Sequence, residues 1–378
     1  MNLSKPICIA ENRKANVLIV AKEFPRAAAI LAGYLHRITD AVFQVQETTS
    51  VNPSILLKKA DHGESGFRYR IYDKDIEIEA GNEQAMVYAV YDWLERVVGC
   101  RYYSRLYEYV PFDANLTVCF AEYQFSPILE YREIHYWDFF DPAFAEKHKM
   151  IPNCKRDESW GFWCHSFETL CPPEEYFDAH PEYFSLYEGR RVGKNAQLCL
   201  SNPEVFEIVL QNLKKHMAEK PGAKYWSVSQ NDNDAYCQCD RCRELNERDG
   251  SPMGSVLNFV NRIAEHFPDK VISTLAYWYT RKAPAVTRPA DNVHIMLCNI
   301  EANRGLPIET DPRSAGSRQE LLDWKEICQN VFLWDYCIQF RNLVSPFPNL
   351  RVLYRDSRGF VENNLGSLCS DSSRDIRG

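Results

Sequence analysis

Residues 255–280, SVLNFVNRIAEHFPDKVISTLAYWYT, place a helical pattern directly before a strand pattern. In the first half an apolar stripe recurs at helical spacing, formed by Val256, Phe259, Val260, Ile263 and Phe267. The second half, 271–280, is rich in β-branched and aromatic residues, as expected of a buried strand. Because helices that alternate with strands are the repeating unit of α/β folds, this stretch predicts a parallel sheet covered by helices.

The same alternation continues on both sides of this stretch, from about residue 124 onward. The other strand patterns are short apolar or aromatic runs at 132–138, 160–167, 196–202, 224–232, 293–301 and 331–336, with an eighth that starts near Leu365. The clearest further helix begins at Pro203, with Asn202 as its N-cap. Seven or eight parallel strands over about 250 residues predict a (β/α)8 barrel of the TIM type over residues 123–378.

The last stretch departs from this pattern. After Asn364 the sequence reads LGSLCSDSSRDIRG, which is polar and has no helical pattern to close a barrel. We therefore expect the barrel to be incomplete at its last βα unit. A frayed tail and a chain that is truncated or altered inside this unit both explain the segment, and the sequence leaves the two alternatives open.

Residues 1–122 predict a separate small α/β domain. The apolar run Val17–Val20 suits a buried strand. Two segments, 67–73 and 75–80, alternate polar and apolar residues as half-exposed strands do. A helical pattern then ends at Gly99, which is a natural C-cap.

The composition restricts the class of protein. The chain has 378 residues, and 44 Lys and Arg against 52 Asp and Glu give a formal net charge of −8. This balance argues against a nucleic-acid partner and against an anionic membrane, because both are bound by basic surfaces. The apolar run near the start, Val17–Ala21, is far too short to span a membrane, and no secretory signal is visible. We therefore expect a soluble protein with reduced thiols, cytoplasmic as the sequence is written. A start codon placed downstream of a lost signal is the alternative.

The carboxyl ends of the predicted strands combine carboxylates or amides with aromatic side chains, and catalytic residues of such barrels lie at these ends. Aromatic faces stack on the apolar faces of pyranose rings, while carboxylates and amides hydrogen-bond to sugar hydroxyls. We therefore predict a glycan or glycoprotein substrate. The predicted substrate-binding residues are His135, Trp137, Asp138, His165, Gln230, Tyr277, Trp278, Tyr279, Trp334 and Asp335.

Glycosidic cleavage requires acidic groups beside the scissile bond, one of them protonated. We predict Asp232 and Glu301 as this pair. Asp232 closes the amide-rich strand end SQND, and Glu301 follows the apolar run IMLCNI, where an apolar surrounding would keep a carboxyl group neutral. An amide or carboxylate of SQND would hold the 2-acetamido group of a substrate for attack on the anomeric carbon. A strand-end aspartate that only caps the next helix is the alternative interpretation.

The sequence predicts no cofactor. No Gly-x-Gly-x-x-Gly motif follows a predicted strand, which disfavours dinucleotide binding. Cys237, Cys239 and Cys242 form a Cys-x-Cys-x-x-Cys motif and are a weak zinc candidate, since spacing supplies no fourth ligand; His165 or another cysteine would be needed. Free or locally bridged thiols are the alternative.

Several long strings resemble one family, the domain of unknown function 4838. They include HSFETLCPPEEYFDAHPEYFSLYEGRRV (165–192), YWSVSQNDNDAYCQCDRCRELNERDGSPMGSVLNFVNRIAE (225–265), IMLCNIEAN (295–303) and WDYCIQFRNLVSPFPNLRVL (334–353). The segment GNEQAMVYAVYDWLERVVGCRYYSRLYEYVP (81–111) resembles the small α/β domain that precedes the barrels of hexosaminidases and α-glucuronidases.

The resemblance implies an activity. The family is associated with glycoside hydrolase family 163, whose members are endo-β-N-acetylglucosaminidases on N-glycans. It thus implies a retaining hydrolysis in a barrel mouth, assisted by the acetamido group of the substrate. By analogy with hexosaminidases, Asn231 would polarise the acetamido group and Asp232 would be the acid.

The resemblance also marks a departure. Relatives continue after the VENN segment (361–364) into a strand that ends in Glu-x-Gly and a closing helix, which LGSLCSDSSRDIRG replaces here. This implies, as an alternative, a catalytically impaired glycan-binding relative with an open barrel. A zinc-dependent hydrolase that uses the cysteine motif is a third hypothesis. Relatives are typically exported.

Overall fold

A computed structural model of the chain describes residues 5–48, 53–129, 131–195, 197–342, 346–347, 349–362 and 367–371. The chain packs into two compact units. The first consists of Met1–Glu130 and Tyr136–Pro152, and the second of Tyr131–His135 and Asn153–Gly378. The predicted division after residue 122 differs from this partition, because a strand at Tyr123–Phe125 pairs within the first unit.

The first unit contains twelve short strands and three α-helices among its described residues. The strands are β1 (Ile7–Cys8), β2 (Ala10–Glu11), β3 (Lys14–Ala15), β4 (Leu18–Ala21), β5 (Val45–Gln46), β6 (Ser54–Lys59), β7 (Phe67–Tyr72), β8 (Asp75–Ala80), β9 (Arg101–Ser104), β10 (Tyr107–Tyr109), β11 (Thr117–Val118) and β12 (Tyr123–Phe125). The α-helices are α1 (Pro25–Thr39), α2 (Glu83–Trp93) and α3 (Pro142–Lys147), and a 3-10 turn spans Trp137–Phe140.

The main sheet of this unit has the order β12-β7-β8-β6-β4-β5. Its β5, β4, β6 and β8 are parallel, and β7 and β12 add to the β8 edge in antiparallel register. The predicted C-cap is confirmed: Gly99 follows the π-helical turn Leu94–Val98 after α2 and has a left-handed φ of 98°. Pro25 is the first residue of α1, a position that suits proline.

Glu108 on β10 joins three elements of the first unit. Its carboxylate accepts hydrogen bonds from Lys147 Nζ at 2.7 Å, Tyr34 Oη at 2.6 Å and Arg37 Nη1 at 2.6 Å. Burial by itself would raise the pKa of Glu108, but these three donors outweigh burial and lower the pKa to about 2. The carboxylate therefore fixes β10 to α1 and α3.

The second unit continues the numbering. Its strands are β13 (Tyr131–Ile134), β14 (Leu186–Tyr187), β15 (Arg190–Arg191), β16 (Tyr225–Ser227), β17 (Val271–Ala276), β18 (Val293–Cys298), β19 (Val331–Tyr336) and β20 (Ser367–Asp371). Its helices are α4 (Asn153–Ser159), α5 (Phe167–Leu170), α6 (Pro173–Tyr176), α7 (Pro203–Glu219), α8 (Asp240–Asp249), α9 (Met253–Ala264), α10 (Ala315–Ile327) and α11 (Leu353–Glu362). Short 3-10 turns lie at Pro181–Tyr183, Trp278–Thr280 and Pro312–Ser314.

Six of these strands form one parallel sheet, in the order β13-β20-β19-β18-β17-β16. The first and last strands of this order approach each other, because the Tyr131 ring on β13 lies 6.3 Å from the Tyr225 ring on β16. Trp160 packs edge-on against Tyr131 and stacks on Tyr225, and Phe332 packs edge-on against both tyrosines. The sheet is therefore strongly curled around an aromatic interior. The apolar faces of α7 and α9 pack in a second hydrophobic core, together with residues of β17 and β18.

The C-terminal segment adds a strand to this sheet. Residues 367–371 form β20, which pairs in parallel with both β19 and β13. The sequence predicts an eighth strand starting near Leu365; Leu365 itself and residues 372–378 lie outside the described residues.

Two predicted strands have a different structure. In 160–167, Trp160 forms a single parallel bridge to Tyr225, and α5 begins at Phe167. Within the described part of 196–202, Leu198 forms an antiparallel bridge to Phe184 instead of joining the parallel sheet. The Trp160 segment, and not the described part of the 196–202 run, lies beside β16.

Four other predicted strands end early. Ile134 is the last residue of β13, Ser227 of β16 and Cys298 of β18, and β17 stops at Ala276 before the turn Trp278–Thr280. The predicted N-cap is confirmed: Asn202 Oδ1 accepts from the Glu204 N–H at 2.9 Å, with Pro203 at the first helical position. Across the described residues, no helix is both long and apolar enough to cross a bilayer.

Replacing Glu108 by glutamine tests the pH dependence of the first unit. Between pH 4.5 and about 2 the folded chain binds fewer protons at Glu108 than the unfolded chain does, so this contribution to stability is present above pH 4.5 and is lost as the pH falls. We expect E108Q to lower the free energy of unfolding by about 2 kcal/mol at pH 7, with a difference from wild type that shrinks toward pH 2. Urea unfolding monitored by circular dichroism measures both. The matched control is E122Q, since the Glu122 side chain is 53% exposed. A pH-independent difference for E108Q would contradict the assignment.

Replacing Gly161 by alanine tests the curled sheet. A Cβ atom on Gly161 would overlap the indole ring of Trp226, which is buried. We expect G161A to lower the free energy of unfolding by about 1–3 kcal/mol, because the added methyl group would displace side chains in a closely packed core. G222A is the matched control, since nothing lies within 4 Å of a Cβ atom built there. Equal stability of the two variants, measured by thermal unfolding, would show that the 161 segment does not pack against β16.

Candidate functional site

A cavity of about 350 Å³ opens at the carboxyl ends of the parallel strands. Since parallel strands end at the same edge of their sheet, residues that are distant in sequence meet there. The described residues that line the cavity are His135, Trp163, Cys164, His165, Asp232, Leu275, Tyr277, Cys298, Ile300, Trp334, Tyr336 and Phe340. Five of them are among the predicted site residues: His135, His165, Asp232, Tyr277 and Trp334.

Aromatic rings form one wall of the cavity. The Trp163 and Trp334 rings lie 5.5 Å apart, and His135 contacts both edge-on at 5.8 and 5.9 Å. Tyr336 stacks on Trp334 with ring centroids 6.3 Å apart and an angle of 11°. The wall therefore offers extended apolar faces of the kind that pack against a sugar ring.

A carboxylate and a phenol form a polar pair in the cavity. The Tyr277 hydroxyl donates to Asp232 Oδ1 at 3.1 Å, and Asp232 is exposed. Burial raises the pKa of Tyr277, and the neighbouring Asp232 carboxylate raises it further. The phenol therefore stays protonated in neutral solution and serves as a hydrogen-bond donor.

His135 is held by a buried ionic network. Its Nε2 lies 3.2 Å from Glu133 Oε1 and 3.3 Å from Arg156 Nη1, and Arg156 donates to Glu133 at 3.1 Å. The Tyr131 hydroxyl donates to the other oxygen of Glu133 at 2.7 Å. The contacts with Glu133 and Arg156 therefore hold the His135 imidazole in place. The sequence prediction missed Glu133, although the two-residue period of a strand places it on the same face as Tyr131 and His135.

His165 is held by the segment that follows β16. Its N–H donates to Ser229 Oγ at 2.9 Å, and its Nδ1 lies 2.7 Å from the Gln230 carbonyl oxygen. Both His165 and Trp278 have left-handed backbones, with φ of 51° and 55°. Such strained positions concentrate at functional sites, where surrounding contacts hold them in place.

The amides after β16 position the cavity and are not among its lining residues. Gln230 Nε2 donates to Thr280 Oγ1 at 2.6 Å and to the Tyr277 carbonyl oxygen at 3.1 Å. Asn231 Oδ1 accepts from the Glu168 N–H at 3.3 Å, and the Asn231 N–H donates to Gln197 Oε1 at 3.0 Å. Gln230 and Asn231 therefore hold the segments from which Tyr277 and Asp232 project.

Glu301 lies beside the cavity but is not among the residues that line it. Its neighbour Ile300 lines the cavity, whereas the Glu301 side chain is 46% exposed and forms an ion pair with Arg281. The apolar surrounding that the sequence predicted for Glu301 is therefore absent from the described contacts. Glu320 also pairs with Arg281, at 2.7 Å, and burial raises the pKa of Glu320.

The remaining predicted residues have other contacts. Asp335 is buried and accepts from Arg304 Nη2 at 2.8 Å, and Tyr279 stacks on Tyr236 with centroids 4.9 Å apart. Trp278 is 48% exposed and lies in the turn after β17. Two further residues, Trp137 and Asp138, belong to the first unit, where both contact Arg105.

The structure completes the cysteine motif. Cys237, Cys239 and Cys242 lie with Cys199, and their four sulfur atoms are all within 4.8 Å of one another. His165, the other suggested partner, lines the cavity instead. Sequence spacing could not identify Cys199, because it lies 38 residues before Cys237.

The comparisons with known proteins identify a family model and a fold. Residues 102–377 match the family described as Domain of unknown function (DUF4838). No curated protein matches the chain in sequence. Among solved structures, the chain is similar to a GH20 exo-β-N-acetylglucosaminidase from Vibrio harveyi in complex with N-acetylglucosamine, with a TM-score of 0.53, 12% identity and coverage of 100% of this chain and 69% of that one. It is also similar to a β-N-acetylhexosaminidase from Bacteroides fragilis, with a TM-score of 0.54, 13% identity and coverage of 98% and 84%. At these identities the likeness is one of fold.

Proposed function

The chain belongs to the DUF4838 family, and we propose that it is a glycoside hydrolase acting on N-acetylglucosamine-containing glycans. The observation that carries this proposal is the composition of one cavity. Asp232 and Tyr277 form a hydrogen-bonded polar pair in the same cavity whose wall is built from Trp163 and Trp334. Its volume of about 350 Å³ is in the range of small-molecule sites, about 300–1,000 Å³.

The fold supports this proposal. We propose that the curled parallel sheet belongs to a (β/α)8 barrel, since β20 pairs with both β13 and β19 and the rings of Tyr131 and Tyr225 meet inside. The cavity lies at the carboxyl ends of the strands, where catalytic residues of such barrels lie. The solved structures similar in fold include β-N-acetylhexosaminidases. Because one fold supports many activities, the assignment depends on the cavity residues.

The proposed reaction is a retaining hydrolysis assisted by the substrate. The Asp232 carboxylate accepts the acetamido N–H of the sugar and orients the acetamido oxygen toward the anomeric carbon. That oxygen bonds to the anomeric carbon while the bond to the leaving glycan oxygen breaks, and a carboxylic acid gives its proton to that oxygen. Water then adds to the anomeric carbon on the face that the leaving glycan vacated. The carboxylate that gave up its proton takes up a proton from this water, and the bond between the acetamido oxygen and the anomeric carbon breaks.

We assign the proton donor to Glu301, which follows the cavity residue Ile300 and is accessible to a leaving group. In this assignment Glu301 separates from Arg281 when a glycan binds, and Glu320 keeps Arg281 paired. The analogy with hexosaminidases gives the opposite roles, with Asp232 as acid and Asn231 as the residue that polarises the acetamido group. Asn231 Oδ1 already accepts a hydrogen bond from the Glu168 N–H. This favours the assignment in which Glu301 is the acid and Asp232 orients the acetamido group.

A second candidate function follows from the same ion pair. If Arg281 keeps Glu301 paired when a glycan is bound, the cavity binds N-acetylglucosamine without cleaving it. The zinc-dependent hydrolase is disfavoured, because none of the four clustered cysteines is among the described residues that line the cavity. As the family resemblance implies, we propose N-glycans as the substrate class.

Replacing the two carboxylates separates these possibilities. We expect D232N to lower kcat/KM at least about a hundredfold on every N-acetylglucosaminide, because the acetamido group is no longer oriented. The E301Q variant should lose a similar factor on a glycoprotein glycan but much less on a dinitrophenyl glycoside, whose leaving group needs no protonation. Release of glycan, followed by mass spectrometry, and release of dinitrophenol measure the two reactions.

The control for both variants is E247Q, since the Glu247 side chain is 73% exposed on α8 and should leave activity unchanged. If D232N shows the leaving-group dependence instead, the roles are reversed. Saturable glycan binding by the wild type with no turnover of either substrate would establish the binding-only alternative and refute the hydrolase.

Replacing Trp334 by alanine tests the aromatic wall. We expect W334A to raise the dissociation constant for an N-acetylglucosamine oligosaccharide about tenfold, because a stacking face is lost. W278A is the matched control, because Trp278 is half-exposed and is not among the described lining residues. Isothermal titration calorimetry on the D232N background measures binding without cleavage. A larger effect of W278A would place the sugar outside the cavity.

A further inference from the structure

We infer that Cys199, Cys237, Cys239 and Cys242 bind one zinc ion, and that this ion fixes the loop on which Asp232 lies. The four sulfur atoms are within 4.8 Å of one another, and those of Cys199 and Cys239 are 3.6 Å apart. Tetrahedral zinc with Zn–S bonds of about 2.3 Å separates its sulfur ligands by roughly 3.8 Å. The side chains are therefore close to the arrangement that a four-thiolate site needs.

The surroundings of the sulfur atoms suit thiolates. The Leu186 N–H donates to Cys237 Sγ at 3.4 Å. The Ser201 hydroxyl lies 3.2 Å from Cys242 Sγ and 3.5 Å from Cys239 Sγ. Cys239 is also the N-cap of α8, where the N–H groups of the first turn favour negative charge. In this structure the Cys242 thiol donates to Ser201 Oγ; once the thiols lose their protons, the Ser201 hydroxyl, the Leu186 N–H and the first-turn N–H groups would stabilise the charge that metal-bound sulfur carries.

Burial indicates a structural site. Cys199, Cys237 and Cys242 are 4%, 5% and 1% exposed, and Cys239 is half-buried. Four protein ligands close the coordination sphere, whereas a catalytic zinc keeps a position open for water or substrate. The ion would therefore stabilise the fold and take no part in chemistry.

The segment 197–199 contacts both ends of one loop, and it contributes Cys199 to the cluster. The loop follows β16, begins near Asn231 and Asp232, and ends in the cysteine motif. At its start, Gln197 Nε2 donates to the Asn231 carbonyl oxygen at 2.9 Å and to the Asn233 carbonyl oxygen at 3.0 Å. Cys199, two residues after Gln197, meets the cysteines at its end. A zinc ion would thus hold the loop against the 197–199 segment and keep Asp232 in place.

Metal analysis of the protein tests this inference directly. We expect about one zinc per chain in wild-type protein purified without added metal or chelator, measured by inductively coupled plasma mass spectrometry. X-ray absorption at the zinc edge should show four sulfur neighbours at about 2.3 Å. C199S should lose most of the zinc, whereas C328S should keep it, because Cys328 is buried away from the cluster. Since C199S could fail to fold, the wild-type measurements decide independently of that variant.

Removing the metal tests the effect on the loop. We expect chelation under mild denaturant to speed amide hydrogen exchange in residues 233–242 and to leave exchange in β17 unchanged. Absence of stoichiometric zinc, iron in its place, nitrogen in the coordination sphere, or disulfides among these cysteines in mass spectra would each overturn the inference. Because metal content and exchange need no substrate, these results are independent of whether the chain is a glycoside hydrolase.

Discussion

One constraint determines the rest of the second unit: β13 and the five strands β16–β20 pair in parallel in a single sheet. Parallel strands all end at one edge, so the residues that follow them share one surface whatever their distance in sequence. The aromatic interior maintains the curl of this sheet, since Tyr131 and Tyr225 come from strands at opposite ends of the sheet order and still meet. The cavity is the open end of this packed interior, and Trp163 and Trp334 belong to both.

The polar residues at the strand ends divide into two kinds. The Gln230 and Asn231 side chains form hydrogen bonds with neighbouring backbone and side-chain groups, and Asp335 pairs with Arg304. Because most buried polar groups form hydrogen bonds inside the protein, these residues act as supports, although Gln230 Oε1 has no hydrogen-bond partner among the described residues. Asp232 stays exposed and is available to a ligand, with Tyr277 as its partner. The hydrogen bonds of Gln230 and Asn231 explain how Asp232, although it lies in a loop, is held in a defined position.

Much of the architecture could be predicted from local pattern. The stripe of α9, the cap at Asn202 and Pro203, and the alternation in β7 are local signals, and all have the predicted structure. Residues 75–80 form the predicted strand, but Ile76–Ala80 are all buried instead of half-exposed, because Glu77 and Glu79 form ion pairs with arginines. The failures were at positions decided by competition between segments. Residues 160–167 are rich in aromatic residues and 196–202 contain a short apolar run, yet Trp160 forms the bridge to β16 and Leu198 pairs with Phe184. No local rule ranks one apolar segment above another for the same sheet edge.

The candidate site divides in the same way. The sequence by itself determined the kind of residue at the strand ends and therefore that aromatic rings, histidines and Asp232 would share one surface, because period and strand direction are properties of the local chain. Only the tertiary structure decided that Arg281 pairs with Glu301, that Arg156 reaches Glu133 and His135, and that Cys199 joins the cysteine motif. The physical reason is that each of these contacts joins residues about 20 or more positions apart, and their proximity depends on how the whole sheet curls.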